Sequence, residues 1–253
     1  MVTEITSASN DKIKFIKSLS AAKNRKKSGK YTVEGLRSVR DALSFAKVDC
    51  VVVTKKMMAE LKPDFDGNVY IVPEYILEKI CETENPQGVL AVVNAAQPKE
   101  PIKRDGAYVY TDNVRDPGNL GTIIRTADAA GFDGVILSPD TAEHYNPKVI
   151  RASMGSFFRI PVYAGRQLFE FSEHKIYGGI LGKNTADYRE PDYDGGIIIA
   201  VGNEANGISG ENRKKCIPIK IPIYGEAESL NAAVAAAIMI YEAANKRNRG
   251  KVF

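Results

Sequence analysis

Cysteine, histidine and long apolar runs are scarce in this sequence, and their scarcity excludes several classes of protein. No apolar run approaches the roughly 20 residues that a membrane-spanning helix needs, so we expect no integral membrane protein. The N-terminus lacks a basic segment followed by an apolar one, so we expect no signal peptide. The three cysteines are far apart and form no CxxC pair, which favours a reducing, cytoplasmic location. The two histidines lie far from any cysteine, so we expect no metal site.

Two nucleotide-binding fingerprints are also missing. The dinucleotide pattern GxGxxG and the phosphate loop GxxxxGK[ST] are absent, which disfavours a nicotinamide dehydrogenase and a P-loop ATPase. What remains is an ordinary globular composition, with 253 residues, 44% hydrophobic and 26% charged. This length predicts one large or two modest domains, each able to bury a core.

Positive charge is concentrated near the N-terminus. Between residues 10 and 30, eight basic residues stand against the single acid Asp11. The basic residues are Lys12, Lys14, Lys17, Lys23, Arg25, Lys26, Lys27 and Lys30, and the tail adds Lys246, Arg247, Arg249 and Lys251. Such clusters attract polyanions through counterion release, although a solvated helix face and a frayed tail would look the same. This charge pattern therefore predicts nucleic-acid binding only weakly.

Strands and helices alternate twice along the chain, which predicts two α/β domains. Residues 10–28 have the spacing of an amphipathic helix, and we also expect a helix over 166–173. A segment with two prolines, clustered charge and little apolar content interrupts the alternation and predicts a linker over 96–105. We therefore expect domains over residues 1–95 and 106–253.

Three segments of the second domain carry unusual polar and glycine patterns. In the first, a Gly/Pro turn after a strand opens a helix near Asn119, and Arg125 projects from a face of small residues. Pairing of Arg125 with Asp128 is the alternative interpretation. The second segment, residues 201–207, follows a buried strand, where α/β proteins place ligands, and a plain turn bounded by glycines at the start of a helix is the alternative interpretation. The third, residues 221–231, leads into an alanine-rich helix that Ser229 or Asn231 could cap.

Together these segments resemble the SpoU/TrmH family of RNA ribose 2′-O-methyltransferases, within the SPOUT superfamily. The first family motif is matched by Asn113, Arg115, Asn119, Gly121, Arg125, Ala127, Ala129 and Gly131. The second is matched by Gly202, Glu204 and Gly207, and the third by Ser229, Leu230 and Asn231. The residues before the linker resemble the family's ribosomal-protein-like substrate-binding domain. Asn203 and Ala205 fit no pattern that we can assign.

The resemblance implies an α/β fold with a deep trefoil knot, a homodimer and S-adenosylmethionine as cofactor, with no metal. By motif, it implies that Gly202, Ile221 and Leu230 bind the cofactor. It also implies a catalytic set of Arg125, Asn119, Glu204, Ser229 and Asn231. For the RNA contact, the charge pattern and the first motif indicate Lys23, Arg25, Lys26, Lys27 and Arg115.

The implied reaction is transfer of a methyl group to a ribose 2′-hydroxyl of structured RNA. Ribosomal RNA is favoured as substrate because the N-terminal domain resembles that of members acting on ribosomal RNA. Transfer RNA is the alternative substrate, and a non-catalytic RNA-binding protein of the same fold is the alternative function. Whether Arg125 would act as a base or as a cation is left open, since arginine normally stays protonated in proteins.

Overall fold

The computed structural model describes residues 1–61, 65–182 and 185–248. The predicted basic residues Arg249 and Lys251 lie outside the described residues. The contacts divide the chain into two units, Met1–Ala96 with Tyr145–Arg159 and Gln97–His144 with Ile160–Phe253. No helix within the described residues is long and apolar enough to cross a membrane.

The first unit is built on a mixed sheet with helices on both faces. Its described strands are β1 (Val2–Glu4), β2 (Lys30–Glu34), β3 (Val48–Val53), β4 (Asn68–Ile71) and β5 (Val89–Asn94), in the order β1-β4-β3-β5-β2. Its described α-helices are α1 (Asp11–Ser18), α2 (Ala22–Ser28), α3 (Leu36–Phe45), α4 (Lys55–Leu61), α5 (Glu74–Ile80) and α7 (Pro147–Ser153). Successive side chains of β3 point to opposite faces, so Val52 packs with α1 and α5 while Val51 packs with α3.

From the sequence we assign residues 145–159 to the second domain, and the structure differs there. Ile150 of α7 is buried in the core of the first unit with Val33 and Val39. The Tyr31 and Tyr145 rings are stacked, with centroids 4.6 Å apart. A periodic pattern shows that Pro147–Ser153 is helical but cannot show which core the helix joins.

Two predicted helices are also different in the structure. The helix expected over 10–28 is interrupted between α1 and α2, where the Arg25 guanidinium donates to the carbonyls of Leu19 (2.8 Å) and Ser20 (2.7 Å). The segment 166–173 contains only a short 3-10 helix, Leu168–Phe171. The spacing of apolar residues did not reveal side chains that capture backbone carbonyls.

The second unit contains a parallel sheet of seven strands among the described residues. They are β6 (Ala107–Asp112), β7 (Gly134–Leu137), β8 (Val162–Tyr163), β9 (Lys175–Gly179), β10 (Ala186–Asp187), β11 (Ile197–Gly202) and β12 (Ile217–Lys220), in the order β10-β12-β9-β11-β6-β7-β8. Its described α-helices are α6 (Pro117–Ala129), α8 (Gly210–Arg213) and α9 (Ala232–Arg247). Helix α9 packs against α6 and β11. The predicted α/β class is confirmed for both units, and the trefoil knot stays a prediction.

Candidate active site

The central strands β6 and β11 end side by side, and this brings the first two motifs together. Asp112 lies opposite Gly202 in the parallel register. Residues 197–201 are all buried, which is typical of a strand covered on both faces. Polar segments that follow neighbouring parallel strands meet at the same edge of the sheet, and ligands of open α/β sheets bind there.

A tight bend follows β11 and depends on a glycine. The amide of Asn203 donates to the Gly207 carbonyl (3.0 Å), and the amide of Gly207 donates back to Asn203 (2.8 Å). The chain returns so closely that a Cβ on Gly202 would lie 2.0 Å from the Gly207 carbonyl carbon and 2.2 Å from the Ile208 nitrogen. No side chain can be accommodated at position 202, because the obstructing atoms belong to the backbone. Gly207 itself has φ +66°, a conformation that favours glycine.

Asn203, which fits no sequence pattern, ties this bend to the loop after β6. Its side-chain amide nitrogen donates to the Asn113 carbonyl (2.9 Å), while its Oδ1 accepts from the Ala205 amide (2.9 Å). Asn113 has φ +59°, and its amide donates to the Ser138 hydroxyl (3.0 Å). Sequence reasoning missed Asn203 because its partners are distant in the chain.

The carboxylate of Asp112 makes a second tie between the same loops. Asp112 is buried, and its Oδ2 accepts from the Ser209 amide at 2.8 Å. Burial, and then the charge of Asp112, raise the pKa of Tyr110 to about 12 and the pKa of the Cys216 thiol to about 11. Both groups are therefore neutral at physiological pH, and neither is a candidate base or nucleophile there.

Asn119 joins all three motifs through its side chain. Helix α6 begins at Pro117, with Asp116 as N-cap accepting from the Asn119 amide (2.7 Å). The Asn119 side-chain nitrogen donates to Oε1 of Glu204 (2.7 Å), and its Oδ1 accepts from the Asn231 side chain (3.0 Å). Asn231 also caps α9 by accepting from the amide of Ala233 (2.9 Å). The structure thus brings together the predicted catalytic residues Asn119, Glu204 and Asn231.

A cavity of about 580 Å³ opens beside this network. It is lined by the end of β9, the bend after β11, Arg213 of α8, the residues from the end of β12 to the start of α9, and one face of α9 itself. All three predicted cofactor-binding residues, Gly202, Ile221 and Leu230, belong to its lining, as do Glu204 and Ser229. The lining also carries the cations Arg213 and Lys220 and the acid Glu228. The cavity can therefore offer both charges and backbone groups to a zwitterionic ligand.

Arg125 and Arg115 are exposed and project from the motif without a partner. Within the described residues, neither side chain has a hydrogen bond or an ion pair, so the alternative pairing of Arg125 with Asp128 does not occur. Arg125 lies on α6, in the helix that carries Asn119, but it is outside the cavity lining. Its guanidinium is free to meet a ligand that approaches from solvent.

One of the basic residues predicted to contact RNA is not exposed on the first unit. Lys23, Lys26 and Lys27 are exposed on α2, as an RNA contact requires. Arg25 is only 5% exposed, and its guanidinium bonds to the carbonyls that end α1. Arg25 is therefore a structural residue, and we correct its assignment to the RNA contact.

The basic residues at the end of α9 are likewise engaged within the second unit. Lys246 donates to the carbonyls of Arg189 and Pro191, and Arg247 donates to those of Tyr193 and Asp105. Among the described residues, no group of three or more His, Cys, Asp or Glu side chains is arranged to hold a metal ion.

Two family models match the chain. The model described as the SpoU rRNA methylase family matches residues 106–241, and the model described as the MRM3-like substrate-binding domain matches residues 10–91. These matches confirm the resemblance that the three motifs predict.

Two characterised relatives are similar over much of the chain. The 23S rRNA (guanosine(2553)-2′-O)-methyltransferase RlmP of Bacillus subtilis is 37% identical over 94% of this chain and 98% of its own length. The 23S rRNA (uridine(2479)-2′-O)-methyltransferase of Streptomyces viridochromogenes is 32% identical over 72% of this chain and 69% of its own length.

Solved structures are similar over almost the whole chain. The AdoMet-bound rRNA methyltransferase from Sinorhizobium meliloti has a TM-score of 0.89 and 32% identity, covering 100% of this chain and 99% of that one. The SpoU methyltransferase AviRb from Streptomyces viridochromogenes, in complex with AdoMet, has a TM-score of 0.87 and 28% identity, covering 96% and 100%.

We predict that Gly202→Ala opens the bend after β11. The added Cβ collides with the backbone of Gly207 and Ile208, so the two hydrogen bonds between Asn203 and Gly207 must lengthen. Measured by hydrogen exchange, the amides of Asn203 and Gly207 should exchange at least about tenfold faster. Gly210→Ala is the matched control, because a Cβ there meets no atom within 4 Å. Unchanged protection of both amides in Gly202→Ala would contradict the close approach.

Proposed function

The chain belongs to the SpoU rRNA methylase family, and on this premise we propose that it transfers a methyl group from S-adenosylmethionine to a ribose 2′-hydroxyl of ribosomal RNA. One observation carries the proposal. The three motifs, distant in the sequence, meet through the Asn119 side chain beside a single cavity. The names of the relatives support the reaction and the ribosomal substrate, and the AdoMet in the similar structures supports the cofactor.

The cavity fits the proposed cofactor in size and in charge. Its volume, about 580 Å³, lies within the range of roughly 300–1,000 Å³ found for small-molecule sites. We propose that Gly202, Ile221 and Leu230 bind the cofactor, largely through backbone groups. The absence of a Cβ at Gly202 lets the Gly207–Ile208 backbone return beside it, which brings the bend into the cavity lining. When bound, S-adenosylmethionine supplies an electrophilic methyl group.

The ribose 2′-hydroxyl is weakly acidic and must lose its proton as it attacks the methyl carbon. We propose that Arg125 acts as a cation, because a guanidinium stays protonated in proteins. Exposed and unpaired within the described residues, it can stabilise the developing alkoxide or hold the neighbouring phosphate. Arg115 is exposed in the same motif and would contact the RNA backbone.

The other residues of the set would orient the ribose. The side-chain nitrogen of Asn119 donates to Glu204, and the side-chain oxygen of Asn119 accepts from Asn231. The Asn119 amide therefore has one fixed orientation. Ser229 lines the cavity and would contact the ribose through its hydroxyl. Holding a nucleophile near its target can supply on the order of 7 kcal/mol in favourable cases.

We also propose that the enzyme acts as a homodimer in the cytoplasm, where ribosomes are assembled. Helix α9 exposes Val234 (49%) and Tyr241 (46%), which are seven positions apart and therefore lie on one face, and Leu230 (37%) precedes them. Asn231, the N-cap of α9, lies between Leu230 and Val234, so a second copy packed on this face of α9 would lie beside the cavity.

Mass-spectrometric mapping of ribose methylation tests the proposed reaction directly. Ribosomal RNA from cells with and without the protein should differ by a 2′-O-methyl group, and the purified protein should restore it to unmethylated RNA when S-adenosylmethionine is added. A methyl group missing from transfer RNA instead would favour the alternative substrate. Calorimetric titration with S-adenosylmethionine tests the alternative of a non-catalytic RNA-binding protein, because that alternative predicts that the cofactor does not bind.

We predict that Arg125→Ala abolishes methylation while leaving cofactor binding nearly intact. Losing a cation at a developing alkoxide should reduce turnover by about a hundredfold or more. Calorimetry should give the same affinity for S-adenosylmethionine, because Arg125 lies outside the cavity lining. Arg104→Ala, at an exposed arginine of the same unit, is the matched control. Unchanged turnover in purified Arg125→Ala would remove this residue from the mechanism.

We predict that changing Lys23, Lys26 and Lys27 to alanine weakens RNA binding and flattens its salt dependence. Three exposed charges on α2 are lost, and each phosphate contact contributes about 0.7 to the logarithmic salt slope on single strands. Affinity measured between low and physiological salt should therefore show a slope smaller by about 2. Arg25 is left unchanged because it is buried. An unaltered slope would show that these lysines do not contact phosphate.

A further inference from the structure

The loop before β5 is fixed against the start of α3, and this forms a concave surface on the first unit. The buried Glu34 carboxylate accepts from the amides of Glu82 (2.8 Å) and Thr83 (3.2 Å). Oε1 of Gln87 accepts from the Leu36 amide (2.9 Å), which closes the other end of the loop onto the helix. Gly35, which lies between Glu34 and Leu36 in the chain, has φ +91°. The two segments therefore present a preorganised surface.

Gln87 lines several grooves, and two of them also contain Arg37 of α3. The larger, about 650 Å³, is lined by Leu36, Arg37, Arg40, Asp41, Met57, Glu60 and Gln87. The smaller, about 300 Å³, is lined by Glu34, Gly35, Arg37, Ser38, Thr83, Asn85, Pro86, Gln87, Val89, Arg151 and Met154. We name the two grooves together the Gln87 surface.

The basic side chains of the Gln87 surface have N–H donors without a hydrogen-bond partner among the described residues. Arg37 and Arg40 are exposed, and within the described residues their side chains have no hydrogen bond or ion pair. Nη1 of Arg151 is buried without a hydrogen-bond partner, and the nearest acid oxygen, of Glu34, is 3.8 Å away. The larger groove also contains two acids, Asp41, which faces Arg159 at 3.8 Å, and the exposed Glu60. The unsatisfied donors are thus concentrated where Arg37 joins the grooves.

Gln87 adds a group that can distinguish ligands. Gln87 is exposed, its side-chain oxygen accepts from the Leu36 amide, and its side-chain nitrogen has no partner among the described residues. Asn85 is exposed beside it. Side-chain amides bond to the edges of unpaired bases, and guanidinium groups bind phosphates with two parallel hydrogen bonds. Leu36 and Met57 supply apolar area against which a base can pack.

Resting on the proposed function, we propose that the Gln87 surface binds an unpaired nucleotide of the RNA substrate. Arg37 and Arg40 hold the flanking phosphates, and the Gln87 amide donates to the edge of the base. This contact is separate from the lysines of α2, and it places recognition of RNA shape on the first unit.

The test uses the full-length protein and a large-subunit ribosomal RNA transcribed in vitro. Arg37→Ala/Arg40→Ala should weaken binding by about tenfold and reduce the salt slope by about 1.4, the value for two phosphate contacts. The control, Lys47→Ala/Lys79→Ala, removes the same charge from exposed positions of the same unit. It should bind within about twofold of the unchanged protein.

A second variant tests the amide without disturbing the fold. Gln87→Glu keeps an oxygen for the Leu36 amide, removes the side-chain donor and adds one negative charge. It should keep the melting temperature and weaken RNA binding by about fivefold or more, through the lost hydrogen bond to a base and through repulsion between the added charge and the phosphates. RNA binding by both Gln87→Glu and Arg37→Ala/Arg40→Ala equal to that of the unchanged protein would overturn the proposal.

Two further readouts separate this proposal from neighbouring ones. Calorimetry with S-adenosylmethionine should be unaffected by either variant, so failure of the unchanged protein to bind the cofactor or to methylate RNA contradicts the proposed function alone. Loss of binding to protein-containing ribosomal particles, with binding to naked RNA retained, would assign the surface to a protein partner and overturn the RNA contact.

Discussion

The approach of the Gly207–Ile208 backbone to the α-carbon of Gly202 is the constraint on which the site depends. At 2.0 Å from an ideal Cβ, the returning chain leaves room only for hydrogen. This lets the bend close on itself, which puts Glu204 within reach of Asn119 and places the bend in the cavity lining. The carboxylate, the amide and the cap of α9 then form one hydrogen-bonded series.

The hydrogen-bonded series also fixes the orientation of the Asn119 side-chain amide. An amide side chain alone has two nearly equivalent orientations, exchanged by a half-turn. Glu204 accepts only, so it selects the nitrogen of Asn119, and the oxygen must then face Asn231. In turn, the oxygen of Asn231 is committed to the start of α9. The direction of each hydrogen bond in the series is thereby fixed, from the start of α9 to the Glu204 carboxylate.

The sequence predicted much of the site because motif positions report chemistry directly. Asn119, Glu204 and Asn231 do meet, and Gly202, Ile221 and Leu230 do line one cavity. Asn203 was missed, since an asparagine that ties two loops has no local signature. Arg25 was misinterpreted because charge spacing cannot tell an exposed arginine from one that binds its own backbone. The α/β class followed from alternating strands and helices, whereas the membership of residues 145–159 needed three-dimensional contacts.

Residues 145–159 pack in the core of the first unit although they follow part of the second unit in the chain, and this has a consequence for biosynthesis. During translation, the N-terminal sheet emerges complete at residue 94, but its core still lacks Ile150 and the ring that stacks on Tyr31. Helix α6 and strand β7 must leave the ribosome before that gap is filled. A nascent chain paused near the linker would carry an apolar opening over Val33 and Val39, a site for chaperones to recognise.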